Sequence, residues 1–225
     1  MANTETTINA VINPQNNDTP IDIEKTIKAL ERNKFVVHYF ETGAEAVAYL
    51  KNRIQNKCVA IGDSRTLLEI GVHDALSEVN EDITDIQRPL PGESFLDTAL
   101  RTMGRDVFLT SVNALSQTGE MVNIDGTGNR VAASLFGSQE VFFVLGVNKI
   151  TPDLASAIYR ARNVAAPLNS KKNKKSSLNP CATLDEKCYD CGSPDRICNA
   201  LTIYYKKMRN MQTMEIIIIN ESLGF

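Results

Sequence analysis

Two stretches of the chain place reactive residue types at spacings that chemistry can use. The first is Cys181-x6-Cys188-x2-Cys191-x6-Cys198, four of the five cysteines within eighteen residues. A Cys-x-x-Cys pair lets two thiolates reach one metal, and the flanking cysteines can complete a set of four ligands. Soft thiolates suit zinc or an iron–sulfur cluster, and four sulfurs alone do not separate the two. The spacing matches neither the doubled Cys-x-x-Cys of many zinc ribbons nor the Cys-x2-Cys-x2-Cys of bacterial ferredoxins. The plainer alternative is free thiols or a redox pair. Cys58 lies in an apolar run and reads as a core residue. His38 and His73 stand at no ligand spacing.

The second stretch is Asn123-Ile124-Asp125-Gly126-Thr127-Gly128-Asn129-Arg130, between apolar runs that read as strands. A Gly-x-Gly turn from strand into helix exposes backbone N–H groups at the positive end of the helix dipole, which is how anion sites are commonly built. Two glycines also make an ordinary turn. A second candidate is Gly62-Asp63-Ser64-Arg65-Thr66, which follows an apolar run and precedes a short helix that Asp63 or Ser64 can cap. Ligands of open α/β sheets collect at that edge. Gly62, Asp63, Ser64 and Thr66 are therefore expected to form one wall of an anion pocket. Asn113, Gln117, Thr118, Gly119, Gly126, Gly128, Asn129 and Arg130 are expected to supply the other. Glu120 and Asp125 are the candidate catalytic carboxylates, as a base or as a nucleophile in acyl transfer. No Ser–His–Asp or Cys–His spacing is visible.

The elements that must hold these residues alternate strand and helix. Ile21–Asn33 has apolar residues at helical spacing, Phe35–Phe40 is β-rich, Thr42–Ile54 is helical and Cys58–Gly62 is a short buried strand. That order is the signature of βαβ units and a parallel sheet. Val72–Arg88 carries no clear signal. Ser94–Met103 reads as a helix with Ser94 and Asp97 as its capping pair. Val107–Thr110, Gly119–Val122, Glu140–Gly146 and Met214–Ile219 read as strands, and Thr151–Val164 as a helix begun at Pro152. The expected organisation is a flexible segment over 1–20 and an α/β domain over 21–170. A basic linker and cysteine-rich metal segment follows over 171–200, and a helix or strand over 201–225 returns to the α/β domain. The expected fold class is α/β with a mostly parallel sheet flanked by helices.

With 24 basic and 27 acidic residues, the net charge of −3 excludes a general nucleic-acid binder. No apolar run reaches the roughly 18 residues of a membrane span. The polar start lacks the layout of a signal peptide, and a cytoplasmic location is expected.

Asp106–Arg130 resembles the core of the lactate-utilization (LUD) domain family. Gly62–Thr66 and Lys187–Cys198 are similar to its subgroup with a C-terminal cysteine motif. The resemblance spans roughly Ile21 to Phe225. It implies a fold like that of ribose-phosphate isomerase, glucosamine-phosphate deaminase and CoA transferases. It also implies a place in the oxidation of L-lactate to pyruvate in bacteria, alongside iron–sulfur partner proteins, and tilts the cysteine site toward an iron–sulfur cluster over zinc. Gln117 stands where some relatives carry Glu; an amide cannot act as an acyl-transfer nucleophile but can hydrogen-bond a ligand. The expected function is accessory binding or electron transfer in organic-acid oxidation, with a small carboxylate or phosphate as ligand. The alternatives are an isomerase- or transferase-like enzyme acting on a sugar phosphate or CoA ester, and a redox or docking module built on the cysteines.

Overall fold

The structure is a computed structural model that describes residues 20–172, 178–184 and 187–225. Residues 1–19 of the expected flexible start and 173–175 of the expected basic linker lie outside the described residues. The chain begins with α1 (Ile23–Arg32), β1 (Val36–Phe40), α2 (Gly43–Arg53) and β2 (Cys58–Ile61). It continues through α3 (Arg65–Glu69), α4 (Val72–Ser77), β3 (Asp82–Asp85), α5 (Phe95–Arg101) and β4 (Val107–Thr110). Next come β5 (Ala114–Ser116), β6 (Met121–Asp125), α6 (Asn129–Leu135), β7 (Glu140–Gly146) and β8 (Ile150–Thr151). The last elements are α7 (Leu154–Arg160), α8 (Ala166–Lys172), α9 (Pro180–Thr183), β9 (Ala200–Tyr204) and β10 (Thr213–Ile219).

Six strands form an all-parallel sheet in the order β1-β10-β7-β4-β2-β3. Its central strands are apolar on both faces, as a parallel sheet covered on both sides requires. Phe142 and Val144 of β7 pack with Leu50, Ile54 and Leu76 beneath α2 and α4. Phe143 and Leu145 point the other way, into a core that includes Leu30 of α1. Local chemistry sets the helix starts. Thr42 and Glu45 form a capping box on α2, and Ser94 and Asp97 form the predicted one on α5.

A second, four-stranded sheet in the order β8-β5-β6-β9 was not expected. It covers the α1 side of the parallel sheet, where Leu115, Met121, Ile150 and Tyr204 join the core of Phe108 and Phe143. β6 belongs to this sheet, pairing antiparallel with β5 and β9. Two further expectations are corrected. The helix expected from Thr151 begins at Leu154, because Thr151 is paired in β8 and Asp153 is the cap, its carboxylate accepting from Ser156 N at 2.7 Å. That helix passes through a π turn at Ala161–Ala165 into α8. The stretch 201–225, expected as a helix or strand, supplies strands β9 and β10.

Candidate functional site

Strands β7, β4 and β2 are neighbours, and the chain leaving their carboxyl ends brings Lys149, Ser111 and Ser64 to one cavity of about 230 Å³. The far wall is the turn after β6, with Asp125, Gly126 and Asn129, together with Ala165 and Ala166 at the π turn. Such turns within helices recur at functional sites.

Lys149 is the residue that the sequence reading missed. Its side chain is buried, yet Nζ reaches only two hydroxyls, Thr66 Oγ1 at 2.9 Å and Ser111 Oγ at 3.0 Å. Among the described residues it forms no ion pair. Burial, reinforced by the charges of Arg160 and Arg130, pushes its ammonium down to about 7. Arg160 is half-buried and lowered to about 10 by desolvation; among the described residues its guanidinium donates to the carbonyls of Asn113, at 2.5 Å, and Asn148, at 3.2 Å. A sequence signal did exist. Lys149 follows strand Glu140–Gly146 directly, at the sheet edge where ligands collect.

The Gly-x-Gly turn is built differently from its expected role. Thr127 N and Gly128 N both donate to Asp125 Oδ1, at 3.1 and 2.7 Å, so those amides are not free for a ligand. Gly128 holds a φ of 89°, the left-handed region that explains glycine there. Arg130 is not a free clamp either. Its Nη1 donates to Ser111 O and Asn123 Oδ1, at 3.1 and 2.9 Å, and its Nη2 to Ile124 O at 2.7 Å. It ties the second sheet to the loop after β4 and gives the cavity wall its charge. Asp125 Oδ2 lies 3.5 Å from Arg130 Nε and is buried without a hydrogen-bond partner.

Of the expected ligand-binding residues, Asp63, Ser64, Asn113, Gly126, Asn129 and Arg130 line this cavity. Thr66 sits behind it through Lys149, and Gly128 behind it through Asp125. Gly62 faces a neighbouring cavity with His73 and Asp85, whose side chains pair at 2.8 Å. Gln117, Thr118, Gly119 and Glu120 are elsewhere. Gln117 Oε1 accepts from Asp22 N at 2.7 Å, Gly119 O accepts from Asn33 Nδ2 at 3.1 Å, and Glu120 accepts from the Thr118 hydroxyl. The reason is geometric. A strand rises about 3.3 Å per residue, so the two ends of β6 are separated by roughly 15 Å. Residues before β6 pack on α1, and residues after it reach the cavity.

The four cysteines of the metal expectation, Cys181, Cys188, Cys191 and Cys198, line one small cavity of about 20 Å³. Arg162 Nη2 approaches Cys188 Sγ at 3.7 Å, and Asp190 N donates to the same sulfur at 3.4 Å. N–H groups directed at sulfur suit a bound thiolate. The four thiols are donors of the type that a thiophilic metal takes. The sulfurs as placed do not converge: among the described residues no three His, Cys, Asp or Glu side chains stand close enough to hold a metal ion. The cysteine segment also forms part of the first cavity. Ile197 and Ala166 line both. Asn199 N donates to Asp125 O and Asn199 Nδ2 to Gly126 O, each at 3.0 Å. A Cβ on Gly126 would meet Ile197 O at 2.9 Å, so the strap needs glycine there.

The chain belongs to the LUD domain family, whose model matches residues 23–219. The match agrees with the family resemblance of the sequence; the subgroup with the cysteine motif is a finer assignment that the match does not carry. The fold is also similar to the crystal structure of a DUF162 family protein from Deinococcus radiodurans, with a TM-score of 0.50 and 11% identity over 89% of this chain and 99% of that one. At that identity the likeness speaks to fold alone. No curated protein matches the chain. Among the described residues no helix is long and apolar enough to cross a membrane.

Proposed function

We propose that the protein binds a small carboxylate or phosphate in the cavity between β7, β4, β2 and the β6 turn. It does so as an accessory component in the oxidation of L-lactate or a related organic acid. The pathway reading rests on membership of the LUD family. The observation that carries anion binding is Lys149, a buried cation on the cavity wall that forms no ion pair among the described residues. An unpaired buried charge is costly, and an anionic ligand supplies the missing partner. Calorimetric titration with L-lactate, pyruvate and inorganic phosphate tests it. Binding of at least one, weakened by Lys149→Met, is expected; no heat from any of the three would sink it. Unchanged lactate-dependent growth of a deletion strain would remove the pathway.

The four cysteines are proposed to hold a metal centre, iron–sulfur in preference to zinc, in a cytoplasmic protein that works with iron–sulfur partner proteins. An iron–sulfur group would supply one-electron transfer, and zinc a structural clip. Metal and acid-labile sulfide analysis on protein purified without oxygen separates them: iron with sulfide supports the first, and about one zinc per chain supports the second. An enzymatic reading is favoured by a separate observation. Asp125 lines the cavity, and its buried Oδ2 accepts no hydrogen bond and stands 3.5 Å from Arg130 Nε, which makes it the candidate base. It predicts turnover of a sugar phosphate or CoA ester that Asp125→Asn abolishes.

A further inference from the structure

We propose that Lys149 is a carbonyl-reactive amine, forming an imine with a small aldehyde or ketone that carries an anionic group. The inference deepens the anion-binding reading and rests on it. Three features of the cavity carry it. Lys149 Nζ sits on the wall of a space large enough for a few-carbon compound. Its two partners, Thr66 Oγ1 and Ser111 Oγ, are hydroxyls, which accept from an ammonium and donate to a neutral amine equally well. Both hydroxyls stay partners of Nζ in either protonation state, and the third N–H of the ammonium is left for a ligand. The cations around it, Arg160 and Arg130, have no use for the Nζ lone pair and repel its proton. A lysine desolvated beside other cations is the usual route to an amine nucleophile near neutral pH.

The electrophile follows from the same geometry. Deprotonating Lys149 still leaves the Arg130 guanidinium on the cavity wall; among the described residues Arg130 is paired with Asp125, and Arg160, which lies outside the lining, forms no ion pair. An anionic group on the ligand is still attracted while the amine reacts. The step is balanced within the cavity. The Nζ lone pair forms a bond to the carbonyl carbon, and the carbonyl oxygen takes up a proton. The carbinolamine then loses that oxygen as water, leaving C=N. Ser111 Oγ and Thr66 Oγ1, 3.4 Å apart, relay the two Nζ protons to that oxygen. No oxidant or reductant is consumed.

The test is reductive trapping on the full-length wild-type protein. Glyoxylate, a carbonyl joined to a carboxylate, is supplied with cyanoborohydride, which reduces the imine to a stable secondary amine. Peptide mass mapping then locates the label. The expected result is one adduct per chain, on the peptide carrying Lys149. Inorganic phosphate should suppress it, and acetaldehyde, which lacks the anion, should label that position at least about tenfold more slowly. Lys149→Arg should lose the adduct at that site. Labelling spread over surface lysines with Lys149 unmodified would overturn the proposal. Phosphate titrated into the same preparation distinguishes the two levels. Phosphate binding with no label at Lys149 removes the imine and leaves the anion pocket standing. No binding of phosphate, L-lactate or pyruvate and no label removes both.

Discussion

The parallel sheet carries buried charge at both of its ends, and the two ends are balanced differently. At the amino end, Glu140 and Glu215 are buried, and Arg53 bridges them, Nη2 donating to Glu140 at 2.5 Å and Nε to Glu215 at 3.1 Å. Lys57 adds a contact to Glu140 at 3.6 Å, and Tyr49 donates to Glu215 at 2.8 Å. Every carboxylate there has its cation. At the carboxyl end, Lys149, Arg160 and Arg130 gather, and among the described residues only Asp125 comes within 4 Å of any of them as a carboxylate. A closed network is part of the fold, because removing one member strands the others. A cluster with surplus charge is incomplete without something from outside. Anion binding is assigned to one end of the sheet on this difference.

The contrast can be broken by exchanging the roles. Arg53→Met should cost about 2–4 kcal/mol of stability, since it strands two buried carboxylates while Arg53 itself is partly exposed. Urea denaturation reads the loss, and a protein as stable as wild type would show that the amino end is not a structural network. Lys149→Met should do the reverse. Stability should hold or rise, and anion affinity should fall about 10- to 100-fold, the worth of one charged hydrogen bond. A stability loss as large as that of Arg53→Met would place Lys149 in the framework instead.

The comparison sharpens with pH. Lys149 titrates near 7 in the folded chain, well below the roughly 10.4 of an unfolded lysine. Between those values the unfolded chain binds the proton and the folded chain does not, so this group makes stability rise with pH through that window. Anion affinity moves the other way and falls as pH rises through about 7. Urea midpoints and titrations on both sides of neutrality check both signs, and Lys149→Met should flatten both. The smallest effect is expected at Glu120→Gln, in the turn between β5 and β6. It should change stability by no more than about 0.5 kcal/mol and leave anion binding intact. Loss of binding there would break the placement of the site.

Much of this molecule was legible in local chemistry. The strands at β2, β4, β7 and β10 announce themselves as short apolar runs, and Ser64 and Ser94 cap helices where their spacing predicts. Asp63 and Ser64 on the cavity wall follow from the rule that sites form at the carboxyl ends of parallel strands, and Asn129 and Arg130 from the strand-to-helix turn. The expected wall at Gln117–Glu120 failed because the run from Gln117 to Arg130 reads as one continuous feature, whereas β6 carries its two halves to opposite ends of a second sheet.

What the chain itself determined is whatever neighbours a few residues apart can enforce: strand and helix periods, caps, and the left-handed glycine at Gly128. The tertiary structure decided the rest. It buried Lys149 against hydroxyls 83 and 38 residues away, and it seated the cysteine strap through Ile197 on Gly126. Desolvation and charge balance are sums over everything packed around a group, and most of those neighbours are distant in sequence. A lysine's identity can be read from the chain, but whether it meets water, a carboxylate or neither is settled only when the sheets close around it.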